Sequence, residues 1–321
     1  MSVLVYIDQS EGVIKKPVYE ALYYGSLLAE QLNTTANALI LGEVKEDLSA
    51  LGKYGIQKVY QVNHTSLSTF DSQVYAKAIA DIANESNSSI IIFSHNQSGK
   101  TLAGRVAIRL QAGLVTGTIA LPDTSNGFIV KKPVYGGDAF AYINITTDKK
   151  VITLNPKSIS VVTKDNVAEV IPSTIEVALP KVKVMATNKT SSEVSLTEAE
   201  VVVSGGKGLK GPEHWGMLEE LTKLLGGAIA CSRPVADEHW RPHYEHVGQT
   251  GIQVAPEVYI AIGISGAIQH VAGINRSKNI IVINKDPEAP FFKVADYGIV
   301  GDAFEVVPKL IEEIKKLKSI V

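Results

Sequence analysis

The sequence predicts an α/β protein of two units: an N-terminal, mostly parallel α/β sheet with an antiparallel extension over 1–190, and a C-terminal doubly wound α/β unit over 191–321. Three observations lead there. The chain's 321 residues exceed one typical domain. Short β-branched runs alternate with segments of helical period in both halves, the pattern of parallel strands with helices on both faces. Between the halves, Pro180 to Glu198 (PKVKVMATNKTSSEVSLTE) loses periodicity and turns Ser, Thr and Lys rich, as a linker or domain boundary does.

In the first half the patterning predicts strands at Val3 to Ile7, Ala38 to Leu41, Lys58 to Val62 and Ser89 to Phe93, the last an apolar run too short for a helix. Helices are predicted at Pro17 to Leu32, Ser72 to Asn84 and Lys100 to Gln111. From Gly113 the rhythm changes. Val115 to Leu121, Phe128 to Val134, Ala139 to Ile145 and Val151 to Leu154 read as strands with no helix between them, so antiparallel pairing at one sheet edge is expected, with Gly136-Gly137 at one junction. The second half predicts strands at Ala199 to Ser204, Ala228 to Ser232, Val258 to Ile262 and Asn279 to Ile283. Its helices are expected at Glu213 to Leu225, Gly266 to Ala272 and Val307 to Lys318, with Pro308 in the first turn of the last.

Composition excludes several function classes. With 45% apolar residues, 20% charged residues and a net charge of -2, the chain has the profile of a soluble globular protein, and it lacks the basic field that nucleic-acid binding requires. The single cysteine, Cys231, cannot form an internal disulfide, and its apolar neighbours Ala228 to Ala230 suit a small, buried and inert side chain. The start, MSVLVYIDQS, has no basic segment leading into an apolar one, and no stretch is apolar enough to insert into a membrane. A cytoplasmic location is expected.

Three turns carry the chemistry. Gly206 to Gly211 (GKGLKG) follows a predicted strand and precedes a helix, the context of a dinucleotide turn in which glycines let backbone N–H groups approach an anion. The nicotinamide version also needs an acid closing the second strand, whereas here that strand closes with Ser232-Arg233. Tyr259 to His270 (YIAIGISGAIQH) runs from a buried strand through Gly263, Ser265 and Gly266 into a predicted helix that Ser265 would cap, a second candidate anion site. Gly248 to Gly251 flanks Gln249 and Thr250 with glycines, which could aim an amide and a hydroxyl at a planar polar ring. Each has the alternative of an ordinary turn, and His270 that of a structural imidazole; near an electron-rich ring its imidazolium form would stabilise an anionic oxygen. The loop Asp237 to His246 (DEHWRPHYEH) is read as solvated rather than as a metal site, because Pro242 keeps His239 and His243 off a shared helical face and no cysteine joins them. No metal ligand set and no nucleophilic triad is expected.

The ordered set SGGKGLKG (204–211), SRPVAD (232–237), VGQTG (247–251), GISGAIQH (263–270), INKDPEAP (283–290) and ADYGIVGD (295–302) resembles the C-terminal domain of the electron transfer flavoprotein α subunit. The N-terminal half matches that family in layout and length, less tightly in sequence. The resemblance implies a heterodimer with a β subunit, contacted by 1–190, and one FAD held by 191–321. It implies a carrier rather than an enzyme, moving electrons from flavin dehydrogenases, such as the acyl-CoA dehydrogenases of fatty-acid β-oxidation, to a membrane quinone oxidoreductase. By the same resemblance Arg233, beside Ser232, would stabilise negative charge on the reduced ring, Thr250 would bond the N5 region and His270 the C2 carbonyl oxygen. Val247, Gly248 and Gln249 would line the ring. Ser265, Gly266, Ala267, Ile268 and Gln269 would contact the ribityl and pyrophosphate parts, and Asn284, Asp302 and Ala303 the adenosine end.

One position departs from the family pattern: Lys207 stands where arginine is usual, keeping the charge and losing the planar fork. The residues from His239 to His246 also differ from the family, which leaves their role open. Two other readings stay alongside: an α subunit of an NADH-fed, electron-bifurcating flavoprotein, which only the β sequence would distinguish, and a nicotinamide-dependent oxidoreductase, which the missing ribose acid opposes.

Overall fold

The structure, a computed structural model, describes residues 2–137, 139–186 and 195–320. Leaving aside the turn Tyr135–Gly137, these form two compact units on either side of residues 187–194. The middle of the linker expected at Pro180 to Glu198, with the boundary expected at 190/191, lies outside the described residues.

The first unit runs β1 (Ser2–Ile7), α1 (Lys16–Gln31), β2 (Thr35–Leu41), β3 (Lys58–Val62), α2 (Ser72–Glu85), β4 (Ser88–Ser94), α3 (Gln97–Leu110), β5 (Gly113–Thr118), β6 (Ile129–Val134), β7 (Ala139–Asn144), β8 (Lys150–Leu154) and β9 (Glu169–Pro172). Seven of the strands make one sheet in the order β9-β3-β2-β1-β4-β8-β5, and every pairing in it is parallel. Central β1 is buried throughout, and its alternate residues serve opposite faces: Val3, Val5 and Ile7 meet Val18, Leu22 and Leu28 of α1, while Leu4 and Tyr6 join Ile79 of α2 and Leu102 of α3. Each such aliphatic side chain stabilises the fold by roughly 1.5–3 kcal/mol through burial.

Helix starts follow their capping chemistry. Asp71 accepts from the N–H groups of Gln73 and Val74 to open α2, and Asn96 accepts from Gly99 to open α3 three residues before the start expected from periodicity. The antiparallel expectation holds only for the β6–β7 hairpin, which forms a separate two-stranded sheet turning through left-handed Tyr135, Gly136 and Gly137. Strands β5 and β8 pair in parallel, because the hairpin and its flanks supply the long crossover that a helix usually provides. Strand β9 at the other edge was not anticipated.

The second unit runs β10 (Val201–Gly205), α4 (Gly216–Leu225), β11 (Ala228–Cys231), α5 (Arg233–Asp237), β12 (Val258–Ile262), α6 (Ile268–Val271), β13 (Asn279–Asn284), β14 (Tyr297–Val300) and α7 (Ala303–Ile320). Its sheet is parallel throughout in the order β11-β10-β12-β13-β14. Both faces are covered. Val203, Ile260 and Ile262 pack with Leu218 and Leu221 of α4 and Val307 and Ile311 of α7, while Val202, Tyr259 and Ala261 pack with Val247, Ile274 and Phe291. Helix α7 starts four residues earlier than expected, because Asp302 caps it by accepting from the Phe304 N–H at 2.9 Å; Pro308 therefore sits inside the helix rather than in its first turn. Helix α4 starts three residues later than expected, after the short turns Lys207–Leu209 and Pro212–His214.

Candidate functional site

In the second unit the first strand, β10, lies between β11 and β12, so the chain leaves it toward one side and later returns on the other. The crevice outside the carboxyl ends of the strands at such a switch point is where open parallel sheets bind ligands. A cavity of about 570 Å³ lies there, lined by residues that follow β10, β11, β12 and β13.

The two glycine-rich turns meet at this cavity and differ in what their backbones do. In the first, the N–H groups of Gly206 and Gly208 donate to the carbonyls of Ile262 and Gly263 at 2.9 and 3.0 Å, and those of Leu209 and Lys210 close a short turn onto Gly206 and Lys207. A Cβ on Gly206 would lie 2.2 Å from the Gly263 oxygen, and one on Gly208 would lie 2.7 Å from the Gly263 Cα. These glycines let two chain segments cross. The N–H groups of Gly206, Gly208, Leu209 and Lys210 are thus already used, those of Lys207 and Gly211 have no acceptor among the described residues, and no α-helix follows until Gly216. In the second turn, no group among the described residues accepts from the N–H groups of Ser265, Gly266, Ala267, Ile268 or Gln269. Helix α6 starts only at Ile268 and Ser265 does not cap it, which corrects the helix expected from Gly266. The Ser265 side chain stays exposed at the cavity. Gly266 has φ +85°, and a Cβ there would stand 2.5 Å from the Phe291 backbone, whose N–H donates to the Ser265 carbonyl at 3.1 Å.

The third turn is closed on itself: Gly248 N–H donates to Ile252, Ile252 N–H to His246, and Gly251 N–H to Gly248. Gln249 N–H donates to the Gln269 carbonyl at 2.7 Å, which ties this turn to the second one and leaves the Gln249 and Thr250 side chains exposed at the cavity. The preceding loop is only partly solvated. His239 and His243 are exposed, as expected, but Glu245 and His246 are buried, because Val247 N–H donates to Cys231 and draws the chain alongside β11. Arg241 pays for the buried Glu245 charge with a two-pronged ion pair at 2.6 and 2.8 Å, and its other arm reaches Glu219. His246 lines the cavity, and burial, with Arg233 nearby, pushes its pKa down.

His270 is buried at the cavity. Its Nε2 meets the Tyr259 hydroxyl at 2.8 Å, its Nδ1 has no partner, and the Phe291 ring stands edge-on at 5.7 Å. Burial first, then the neighbouring His246, pushes its pKa down to about 4, against a weaker opposing pull from the Val247 backbone. Burial therefore favours the uncharged imidazole at neutral pH, against the imidazolium expectation. The cations at the cavity are Lys207 and Arg233. Lys207 pairs with Glu238 and lies 5.3 Å over the Trp240 ring; Arg233, mostly exposed at the start of α5, bonds Asp237 at 3.3 Å. The thiol of Cys231 is fully buried and pushed up to about 12 by burial, an inert group.

Of the residues singled out from sequence, Lys207, Ser232, Arg233, Val247, Gln249, Thr250, Ser265, Ala267, Gln269, His270 and Asn284 border the cavity. Gly248 and Gly266 shape the backbone behind it, and the Ile268 side chain is exposed. Asp302 and Ala303 do not border it, since the first caps α7 and the second packs in the core. The amide of Asn284 is spent locally, donating to the Ile264 carbonyl at 2.9 Å and accepting from the Asp286 N–H at 3.0 Å. Sequence reasoning missed His246 and Asp286 as lining residues. Contiguity with VGQTG was the available signal for His246, and the INKDPEAP run the signal for Asp286. Among the described residues no group of three or more His, Cys, Asp or Glu could hold a metal ion, and no helix is long and apolar enough to cross a membrane.

Residues 3–181 match the family model of the electron transfer flavoprotein domain, and residues 195–275 match that of the electron transfer flavoprotein FAD-binding domain. The chain is 38% identical over 322 residues to the electron transfer flavoprotein subunit alpha of Thermoanaerobacterium thermosaccharolyticum, covering 98% of each chain. The chain belongs to the electron transfer flavoprotein α-subunit family. It is also 37% identical to the Bacillus subtilis subunit alpha, with 98% of each chain covered, and 37% identical to Protein FixB of Clostridium saccharobutylicum, with 99% of this chain and 97% of that one covered. Electron transfer is the family's role, and the FAD-binding match takes in all three turns, the Ser232-Arg233 step and His270.

Proposed function

We propose that this chain is the FAD-carrying α subunit of a heterodimeric electron transfer flavoprotein, cytoplasmic, with 1–190 serving the β-subunit contact and 191–321 holding the cofactor. It takes electrons from flavin dehydrogenases such as acyl-CoA dehydrogenases and passes them to a membrane quinone oxidoreductase. It is a carrier with no substrate of its own.

The observation that carries this reading is the run of backbone N–H groups from Ser265 to Gln269, without acceptors among the described residues, beside a cavity that Ser265, Ala267 and Gln269 line and whose other walls hold a guanidinium and a buried imidazole nitrogen that makes no hydrogen bond of good geometry among those residues. That donor set suits FAD: N–H groups for the pyrophosphate, a neutral donor for a ring carbonyl, a fixed cation for negative charge on the ring. FAD supplies reversible uptake of one or two electrons. The chain's residues do the rest. Arg233 places positive charge where the ring gains negative charge, Gln249 and Thr250 bond its polar edge, and the Ser265 to Gln269 backbone anchors the phosphates. Asn284, Asp302 and Ala303 are assigned to the adenosine end by resemblance.

An absorbance spectrum and cofactor extraction on the purified α–β heterodimer test the reading. One FAD per heterodimer is expected; a second flavin would move the chain to the NADH-fed bifurcating reading, and a colourless heterodimer that takes up no FAD would overturn it.

A further inference from the structure

Beneath the cavity, three buried polar groups stand in a row. Tyr259 is fully buried in β12, its hydroxyl 2.8 Å from His270 Nε2. Ser204 is fully buried in β10, diagonal to Tyr259 in the sheet, since Val202 pairs with Tyr259 and Ser204 with Ala261. Its hydroxyl makes no hydrogen bond of good geometry, yet it lies near enough to the Tyr259 oxygen to favour negative charge there. At the other end His270 Nδ1 is buried without a hydrogen bond of good geometry, in a side chain that lines the cavity and feels the pull of the Val247 backbone. A buried phenol must give its proton to something, and among the described residues His270 Nε2 is the acceptor of good geometry. An imidazole that accepts at Nε2 while neutral carries its proton on Nδ1.

We propose, on the reading that the cavity holds FAD, that Tyr259 is a positioning residue: its phenol fixes His270 in the neutral tautomer with the proton on Nδ1 and so presents a neutral hydrogen-bond donor to a flavin carbonyl oxygen. The Ser204 hydroxyl supports the phenol from behind as donor to its oxygen. The arrangement divides the electrostatic work. His270 contributes direction without charge, and Arg233 contributes charge. The titratable or charged groups that bear on His270 are His246 from the loop before β12 and Tyr259 from the strand beneath, with the Phe291 ring closing the remaining side. None is a carboxylate that would favour the cation.

The heterodimer labelled with 15N at histidine, read by long-range 1H–15N correlation and assigned with His270→Gln, tests this directly. The expected result at pH 7 is a neutral His270 protonated at Nδ1, with and without FAD. In Tyr259→Phe the single tautomer should be replaced by the averaged pattern of a free imidazole, and FAD should dissociate about 3- to 10-fold more readily, the worth of one neutral hydrogen bond. A His270 protonated at Nε2, or doubly protonated, in the unmodified heterodimer would overturn the proposal without any variant. So would a Tyr259→Phe protein that binds FAD and keeps the Nδ1 tautomer. A heterodimer that holds the tautomer but takes up no FAD would sink the cofactor reading and, with it, the role given to the donor, while leaving the tautomer assignment intact.

Discussion

The turns at 206–211 and 263–270 both follow a buried parallel strand and both are rich in glycine, and the chain uses them in opposite ways. In the first, glycine removes Cβ atoms so that two backbones cross, and the N–H groups of Gly206 and Gly208 are consumed in the crossing while those of Leu209 and Lys210 close the turn. In the second, glycine takes up a left-handed bend against Phe291, and the N–H groups from Ser265 to Gln269 have no acceptor among the described residues. A glycine spacing thus reports close backbone approach, and only the hydrogen-bond inventory says whether the thing approached is a ligand or the chain itself.

The largest effect that would break this comparison is at Gly266. Gly266→Ala adds a Cβ at a left-handed φ and 2.5 Å from the Phe291 backbone, so FAD retention by the heterodimer should fall about 100-fold or more, the equivalent of roughly 3 kcal/mol. Near-normal flavin content would contradict the role given to this turn. A second effect comes from His270. Its folded pKa of about 4 lies below the unfolded value of about 6.5, so the unfolded chain binds a proton that the folded one refuses. Stability is complete above pH 6.5 and is lost as pH falls toward 4, by roughly 2 kcal/mol at pH 5. His246, shifted the same way, adds to the loss. Urea midpoints at pH 7 and pH 5 should show it, with more than half of the difference gone in His270→Gln; an undiminished difference would locate the proton elsewhere.

Smaller effects separate the cations. Arg233→Ala should lower the flavin midpoint potential by roughly 30–60 mV, within the one-electron scale of 59 mV per tenfold, because the guanidinium favours the more negative reduced ring. Lys207→Ala should lower it less, since Lys207 is already paired with Glu238. Potentiometric titration of both variants decides the order. The smallest effect is at Gly211, extended at φ 178°, where the atoms nearest an added Cβ are those of the flexible Glu213 carboxylate. Gly211→Ala should change stability by no more than about 0.5 kcal/mol and leave flavin content unchanged, although a dinucleotide turn would need that glycine for helix packing.

How much was legible follows from how local the signal is. The strands of both sheets, apart from the edge strands β9 and β14, and the helices α1 to α3 could be read because their periodicity and caps lie within each segment. The parallel pairing of β5 with β8 could not, since a hairpin serving as crossover carries the same local signature as an antiparallel meander. Most of the cavity's lining was recognisable from the ordered runs around Ser232, Val247 and Gly263. His246 was hidden among solvated neighbours, because its burial depends on the Val247 to Cys231 hydrogen bond, a pairing across residues with no common period. The burial of His270 against Tyr259, eleven residues away on another element, was likewise hidden from either segment alone.

Amide hydrogen exchange on the heterodimer, stripped of FAD and then reloaded, tests the central contrast most directly. Peptides covering 264–270 should exchange fast without FAD and gain protection with it, while peptides covering 205–211 should be protected in both states and unchanged. Protection gained at 205–211, with none at 264–270, would show that the first turn is the phosphate cradle and that the roles assigned to the two turns are reversed.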